Sequence, residues 1–187
     1  MMKMSITTKV GDRGTTFLFS GEEVSKASLR TNAYGDVDEL VSLLGVARAA
    51  LEDEALRERV LFLQNELFVV GAELATSQDQ IHLLRERLTA ERLGMLDAAR
   101  DLVESEIEMP RTFILPGGTL AGAYLDVARS VARRCERKVV HLHEEGLIHN
   151  GELLVWMNRL SDYLWLLARR AEGSAVCERL ASLHGDG

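Results

Sequence analysis

The sequence predicts an all-α protein: a five-helix bundle in up-and-down order, behind an irregular N-terminal arm. Three observations carry this. Aromatics make up only 5% of the 187 residues and prolines number two, while Leu, Ala, Glu and Arg are plentiful. That mix favours helices over sheets. Apolar residues recur at helical spacing in five stretches. The connections between the stretches are short, which makes sequential helices neighbours in space.

Residues 1–31 lack helical periodicity and hold Gly11, Gly14 and Gly21 among threonines and cations, which predicts an arm with turns. Asn32 is expected to cap a first helix running to about Leu51, with Val37, Leu40, Val41, Leu44 and Val46 on its apolar side. A second helix is expected from about Ala55 to Thr76, with Leu61, Leu63, Leu67, Phe68 and Leu74 facing the core. Gln80 to Arg87 reads equally as helix or loop. Thr89 then caps a third helix ending near Glu108. Pro110 and Pro116 bracket a short extended stretch, Thr112-Phe-Ile-Leu115, followed by Gly117 and Gly118. This stops one helix and launches the next. The fourth helix is expected from about Thr119 to His143 and the fifth from about Asn150 to Ala171. No internal repeat or linker divides the chain. One domain spans 1–187, with the arm at 1–31, the bundle at 32–171 and a tail at 172–187.

Hydrophobic residues at 47% and charged residues at 27% are ordinary for a globular protein. A net charge of -7 argues against general nucleic-acid binding, which needs a broad basic surface. Cys135 and Cys177 have no metal-type spacing, so a reducing compartment is expected. The N-terminus lacks the apolar core of a signal peptide and no run is long enough to span a bilayer. The expected location is the cytoplasm.

Against that acidic background, Arg129 to Lys138 holds five cations and one acid. At roughly 100° per residue, Arg129, Arg133 and Glu136 share a helix face. Tyr124, Ala128, Val131, Cys135 and Val139 share another. Exposed helical arginines usually form solvated pairs of little value. Here acids are scarce: Asp126, Arg129, Arg133 and Glu136 form one stripe flanked by apolar surface. Such density suits a polyanion, for instance a nucleoside triphosphate. Asp36, Asp38 and Glu39 near a helix start suit the helix dipole, or else one of them orients an arginine of the stripe.

The arm Thr7-Thr-Lys9-Val-Gly11-Asp12-Arg13-Gly14-Thr15-Thr16 has the parts of a phosphate cradle. It equally fits an ordinary turn, and no GxxxxGK[ST] occurs. The fifth helix is apolar on nearly every side, which places Asn158, Arg159, Ser161 and Asp162 in buried surroundings. Asp162 and Arg159 read foremost as a structural network. Asn158 can donate to a phosphate or ribose and accept from an adjacent arginine. Phe113 is either a core plug or the wall of an apolar pocket. A ferritin-like di-iron site needs Glu-x-x-His pairs, and the chain has none, nor HExxH or CxxC. No protein metal site is expected.

Five blocks occur in a specific order. They are Thr8-Lys9-x-Gly11-Asp12-x-Gly14, Ala33-Tyr34-Gly35-x-x-Asp38-Glu39-Leu40, Phe113-Ile-Leu-Pro-Gly-Gly118, Ala128-Arg129-x-Val131-x-Arg133-Arg134-x-Glu136-Arg137 and Asn158-Arg-Leu-Ser-Asp-Tyr-Leu164. Together they closely resemble the ATP:cob(I)alamin adenosyltransferases of the propanediol-utilisation type, over roughly residues 6 to 171. The resemblance implies a homotrimer of five-helix bundles with active sites between subunits. It implies transfer of the 5′-deoxyadenosyl group of ATP to the cobalt of cob(I)alamin or another reduced corrinoid, releasing triphosphate. The alternative is a non-catalytic carrier of ATP and adenosylcobalamin.

By the same resemblance, Thr8, Lys9, Gly11, Thr16 and Lys26 meet ATP from the arm. Arg133, Arg134, Glu136 and Arg137 meet it from helix four and Asn158 from helix five. Mg²⁺ is held mainly by the phosphates. Asp38 pairs with Arg129 across a subunit boundary. Phe113 lines the corrinoid side and excludes the lower axial ligand, so that four-coordinate Co(II) accepts an electron more easily. A reductase and a B12-dependent acceptor enzyme are the implied partners. The chain departs from the family pattern at Asp126, often His, at Ser130, often Thr, and at Val41, often Asn. Asp126 would put a negative charge on the stripe as a further partner for Arg129.

Overall fold

The computed structural model describes residues 7, 9–110 and 113–173. Its five long helices are α1 (Leu29–Ala50), α2 (Glu54–Leu74), α3 (Ala90–Ser105), α4 (Leu120–Glu144) and α5 (Gly151–Glu172). The five-helix bundle expected from periodicity is thus borne out. α4 lies at the centre between α1 and α5, α2 packs on α1, and α3 packs on α5.

Polar residues set the helix ends. The side chains of Asp53, Thr89, Thr119 and Asn150 each accept a backbone N–H in the first turn of the helix that follows, which satisfies a donor that the helix leaves open. For α1 the cap is Ser28, which accepts from Thr31 N, and not Asn32. Asn32 lies one turn inside the helix, and its amide donates back to the carbonyls of Ala27 and Ser28. An amide that reaches the preceding turn mimics a cap in sequence while the chain is already helical. The ambiguous stretch after α2 is a 3-10 helix, Gln78–Leu83.

One apolar core runs from Ala33 on α1 to Ala168 on α5. Leu63, Leu67 and Leu74 of α2 lie in it, but Leu61 and Phe68 do not, at 42% and 70% exposed. α2 is covered chiefly by α1, so its apolar stripe is narrower than the sequence implies. α5 is also less enclosed than expected. Leu153, Trp156, Met157, Leu160, Tyr163, Leu164 and Leu167 are fully buried, while Asn158 and Asp162 face outward.

The arm is more ordered than its composition predicts. A short 3-10 helix, Val10–Arg13, leads into a hairpin of β1 (Thr15–Phe17) and β2 (Glu23–Ser25), with Thr16 opposite Val24. The hairpin is tied to the end of α2: Leu18 is buried and Phe19 N donates to Ala75 O at 2.8 Å. Among the described residues no helix is long and apolar enough to cross a membrane.

Candidate active site

The cationic segment forms the middle of α4, as periodicity predicts. Ala128, Val131, Cys135 and Val139 are buried on one side, and Arg133 and Arg137 are exposed on the other. The cations differ in how they are held. Arg134 Nε donates to Asp36 Oδ2 at 3.0 Å, and its terminal nitrogen also bonds Glu39. Lys138 Nζ donates to Asp36 Oδ1 at 2.8 Å and to Asn32 O at 3.1 Å. The acids that clamp α1 to α4 are therefore Asp36 and Glu39, and the arginine they orient is Arg134. Arg133 and Arg137 make no ion pair among the described residues.

Asp126 is not on the exposed stripe, as a strict face count would place it. It is 5% exposed. Its Oδ2 accepts from Arg169 Nη2 at 2.5 Å, and its Oδ1 from Arg129 Nε at 3.4 Å. Arg169 in turn donates to both oxygens of Glu172, at 2.7 and 3.1 Å, and its guanidinium lies 5.4 Å from the centre of the Trp165 ring. Burial works against the Arg169 charge, and the hydrogen bonds that it donates to Glu172 and Asp126 outweigh it, so the guanidinium stays protonated. The bond from Arg129 is the longer of the two that Asp126 accepts. A partner for Arg129 was expected there, but the chief partner of Asp126 is Arg169, which sequence reading missed. The i, i+3 spacing of Arg169 and Glu172 was the available signal.

Asn158 is exposed, against expectation. A helix that reads as apolar on most sides still keeps one wet strip when it is chiefly α3 and α4 that pack on it. Its amide donates to Glu136 Oε1 at 2.9 Å, across from α5 to α4. Glu136 therefore engages Asn158 rather than the neighbouring arginines. Asn158 Oδ1 accepts from Arg159 at 3.5 Å, and Arg159 reaches Asp97 of α3 at 3.6 Å. Asp162, expected in a structural network, is exposed and makes no ion pair among the described residues.

In the arm, Lys26 Nζ donates to Gly11 O at 2.7 Å. A Cβ on Gly11 would stand 2.7 Å from that ammonium, so a glycine lets the lysine lie flat over the turn. Lys9 just before it has φ 60°, a left-handed conformation that turns backbone N–H groups in a way that suits an anion. Thr8 lies outside the described residues. Phe113 is 84% exposed, which rules out the core plug. Asp38 is exposed and lines an apolar groove of about 300 Å³ between α1 and α2, with Tyr34, Val41, Leu67 and Phe68. Burial, with the Asp36 carboxylate nearby, pushes the Cys135 thiol up to about 12, so it is no nucleophile at neutral pH.

Fold and site together define a helical bundle whose central helix presents cations with no ion pair among the described residues, and whose arm is glycine-rich and bears lysines. Comparison with known proteins places it more closely. The chain belongs to the cobalamin adenosyltransferase family, whose model matches residues 6–171. It is 40% identical over 172 residues to the corrinoid adenosyltransferase PduO of Salmonella typhimurium, covering 92% of this chain and 51% of that protein. It thus spans about half the length of that relative. It is also 40% identical over 167 residues to a corrinoid adenosyltransferase of Citrobacter freundii, covering 89% of this chain and 94% of that one. Among solved structures it resembles a phenylalanine-to-histidine variant of the PduO-type ATP:corrinoid adenosyltransferase from Lactobacillus reuteri complexed with cobalamin and ATP. The TM-score is 0.83 at 34% identity, over 90% of this chain and 91% of that chain. An arginine-to-lysine variant of the same enzyme, complexed with ATP, gives a TM-score of 0.80 at 35% identity.

Proposed function

We propose that this protein transfers the 5′-deoxyadenosyl group of ATP to the cobalt of a reduced corrinoid, and that triphosphate leaves. The observation that carries the reading is the division of labour on α4. Arg134 and Lys138 are tied to Asp36, while Arg133 and Arg137 stand exposed on the same helix without a partner among the described residues. Cations held ready but unneutralised are what a leaving polyanion requires.

Co(I) is the nucleophile, so the protein need supply none. Cobalt attacks C5′, the C5′–O bond breaks, and the electron pair stays with triphosphate. Arg133 and Arg137 from α4, with Lys9 and Lys26 from the arm, neutralise the charge that accumulates. Thr8 and Thr16 add hydroxyl donors and Gly11 a backbone path around the phosphates. The Asn158–Glu136 bond across α5 and α4 gives the nucleotide a fixed polar edge, and Arg134 braces α4 through its clamp to α1. Mg²⁺ would ride mainly on the phosphates of the nucleotide. When bound it spreads phosphate charge. Phe113, exposed on its loop, walls the corrinoid side and keeps a lower ligand from cobalt, which eases reduction of Co(II).

The working unit in this reading is a homotrimer with the site between protomers. Asp38 beside exposed Phe68 is where Arg129 of a neighbouring copy would dock. The protein would work in the cytoplasm, receiving an electron from a reductase and passing product to a B12-dependent enzyme. The test is direct. Purified protein is mixed with ATP and cobalamin under a strong reductant, and corrinoid absorbance is followed for the adenosylated product. Binding without product would leave the carrier role instead.

A further inference from the structure

We infer that Glu172 is a positioning residue for the loop that carries Phe113, held in place by the buried Arg169. This rests on the reading of Phe113 as the corrinoid-side wall. Gly118 N, at the exit of that loop, donates to Glu172 Oε1 at 3.1 Å. Arg169 grips both oxygens of the same carboxylate. The side chains of Arg169 and Glu172 are 6% and 0% exposed. A bond so shielded from water holds its geometry better than a surface pair.

Two glycines fit around this carboxylate. A Cβ on Gly118 would meet Glu172 Cδ at 3.1 Å, and one on Gly122 would meet Glu172 Cγ at 2.8 Å. Gly122 lies within the first turn of α4, where alanine would otherwise serve the helix better. The space it leaves is taken by Glu172. If the cluster served only to join α4 to α5, the Arg169–Asp126 bond would suffice. Glu172 adds the third leg, to loop backbone.

That leg matters because Phe113 is 84% exposed. A side chain with so little packing does not fix its own direction, and its aim follows from how the loop backbone is anchored. Asp126 links the same Arg169 to Arg129 on α4. The chain Arg129–Asp126–Arg169–Glu172–Gly118 alternates in charge and ties the cationic helix to the Phe113 loop. Sequence reading placed residue 172 in a tail and so left it out.

The experiment compares Glu172→Ala, Glu172→Gln and Gly122→Ala in the full chain. It measures ATP affinity by calorimetry, KM for the corrinoid, the Co(II)-dependent rate and the electron paramagnetic resonance spectrum of bound Co(II)cobalamin with ATP. Expected for Glu172→Ala is ATP affinity within about twofold of wild type, a Co(II)-dependent rate lowered about tenfold, and loss of the four-coordinate Co(II) signal. Glu172→Gln keeps an acceptor for Gly118 N and should recover most of both. Gly122→Ala favours helix while crowding Glu172. It should show the same corrinoid-selective defect, and it serves if Glu172→Ala does not fold. The inference is overturned if ATP and corrinoid parameters fall in proportion, if neither moves, or if Gln fails to rescue. Wild type that makes no product under strong reductant would overturn the functional reading itself, a result distinct from any difference between variants.

Discussion

Arg133 and Arg134 are adjacent in sequence and opposite in circumstance. Arg134 is spoken for by Asp36 and Glu39, whereas Arg133 projects from α4 exposed. Substituting an exposed, unpaired side chain costs a fold little, within about 0.5 kcal/mol. Losing one preplaced charge on a leaving group costs about 10²–10³ in rate. Arg133→Ala should therefore lower adenosyl transfer by about that factor, with a melting temperature within a few degrees of wild type. Near-normal turnover would mean the triphosphate lies elsewhere. Phe113→Ala should slow adenosylation from Co(II) far more than it weakens ATP binding by calorimetry, and an equal loss in both would remove Phe113 from the corrinoid wall. Sequence separated these residues only in part. The helical repeat puts Arg133 and Arg134 about 100° apart, which predicts different faces. It does not say that Asp36, nearly a hundred positions earlier, waits opposite one of them. Partners so distant in sequence are set by packing of α1 on α4, which no local pattern encodes.

At the level of elements, the helical periods and the starts of α3, α4 and α5 are legible, while the α1 cap and burial on shared faces are not. Thr89, Thr119 and Asn150 act as helix starts because a side-chain oxygen satisfies a local N–H, and local rules read local bonds. Phe68 was misplaced because the period of α2 marks an apolar stripe without saying how wide the neighbouring helix is. The α4–α5 seam makes its own prediction. Asp126 joins the two helices through Arg169, and its removal leaves Arg169 with Glu172 alone; losing one partner from a buried ion-pair cluster costs about 3–5 kcal/mol. Asp126→Ala should lower the melting temperature by roughly 6–20 °C, using about 2–4 °C per kcal/mol for a chain of this size. No shift in calorimetry would mean Glu172 alone satisfies Arg169. The Glu66–Arg92 pair, which links α2 to α3, behaves differently with pH. Burial raises the Glu66 carboxyl above its usual value despite Arg92 beside it, and its buried Oε2 has no hydrogen-bond partner among the described residues. A carboxyl whose folded value is raised binds protons more tightly when native, so stability falls as pH rises through the interval between unfolded and folded values. Glu66→Gln should leave stability nearly unchanged at pH 4 and raise it relative to wild type at pH 7, with Arg92 retaining an acceptor. Denaturant melts at the two pH values check this, and a gain confined to acid pH would reverse the sign.

For the whole molecule, the question is whether one chain holds a complete site. The arm brings Lys26 onto Gly11, and α4 and α5 bring Glu136 to Asn158. Asp38 lines an apolar groove with Phe68 at 70% exposure, a surface that a second protomer would cover. If nucleotide binds the folded chain and not the unfolded one, ATP at about 100 times its dissociation constant adds roughly 2.7 kcal/mol. The melting temperature should then rise with ATP concentration. An unchanged value would leave a bundle that takes no nucleotide. Sedimentation should give three times the 20.8 kDa chain mass. The sharper test uses complementation. In the proposed ring of three each interface is heterologous, and in the proposed site between protomers the arm of one meets α4 of the next. Lys26→Ala spoils the arm and Arg133→Ala spoils α4, and each alone should be inactive. Co-expressed in equal amounts, the two chains pair at random. An interface is whole when an intact arm from the Arg133→Ala chain meets an intact α4 from the Lys26→Ala chain, which occurs at about one quarter of interfaces for random mixing in such a ring. Activity near a quarter of wild type should therefore return in the mixed protein. Activity that stays absent, in trimers shown by mass to contain both chains, would place arm and α4 of a single site within one protomer.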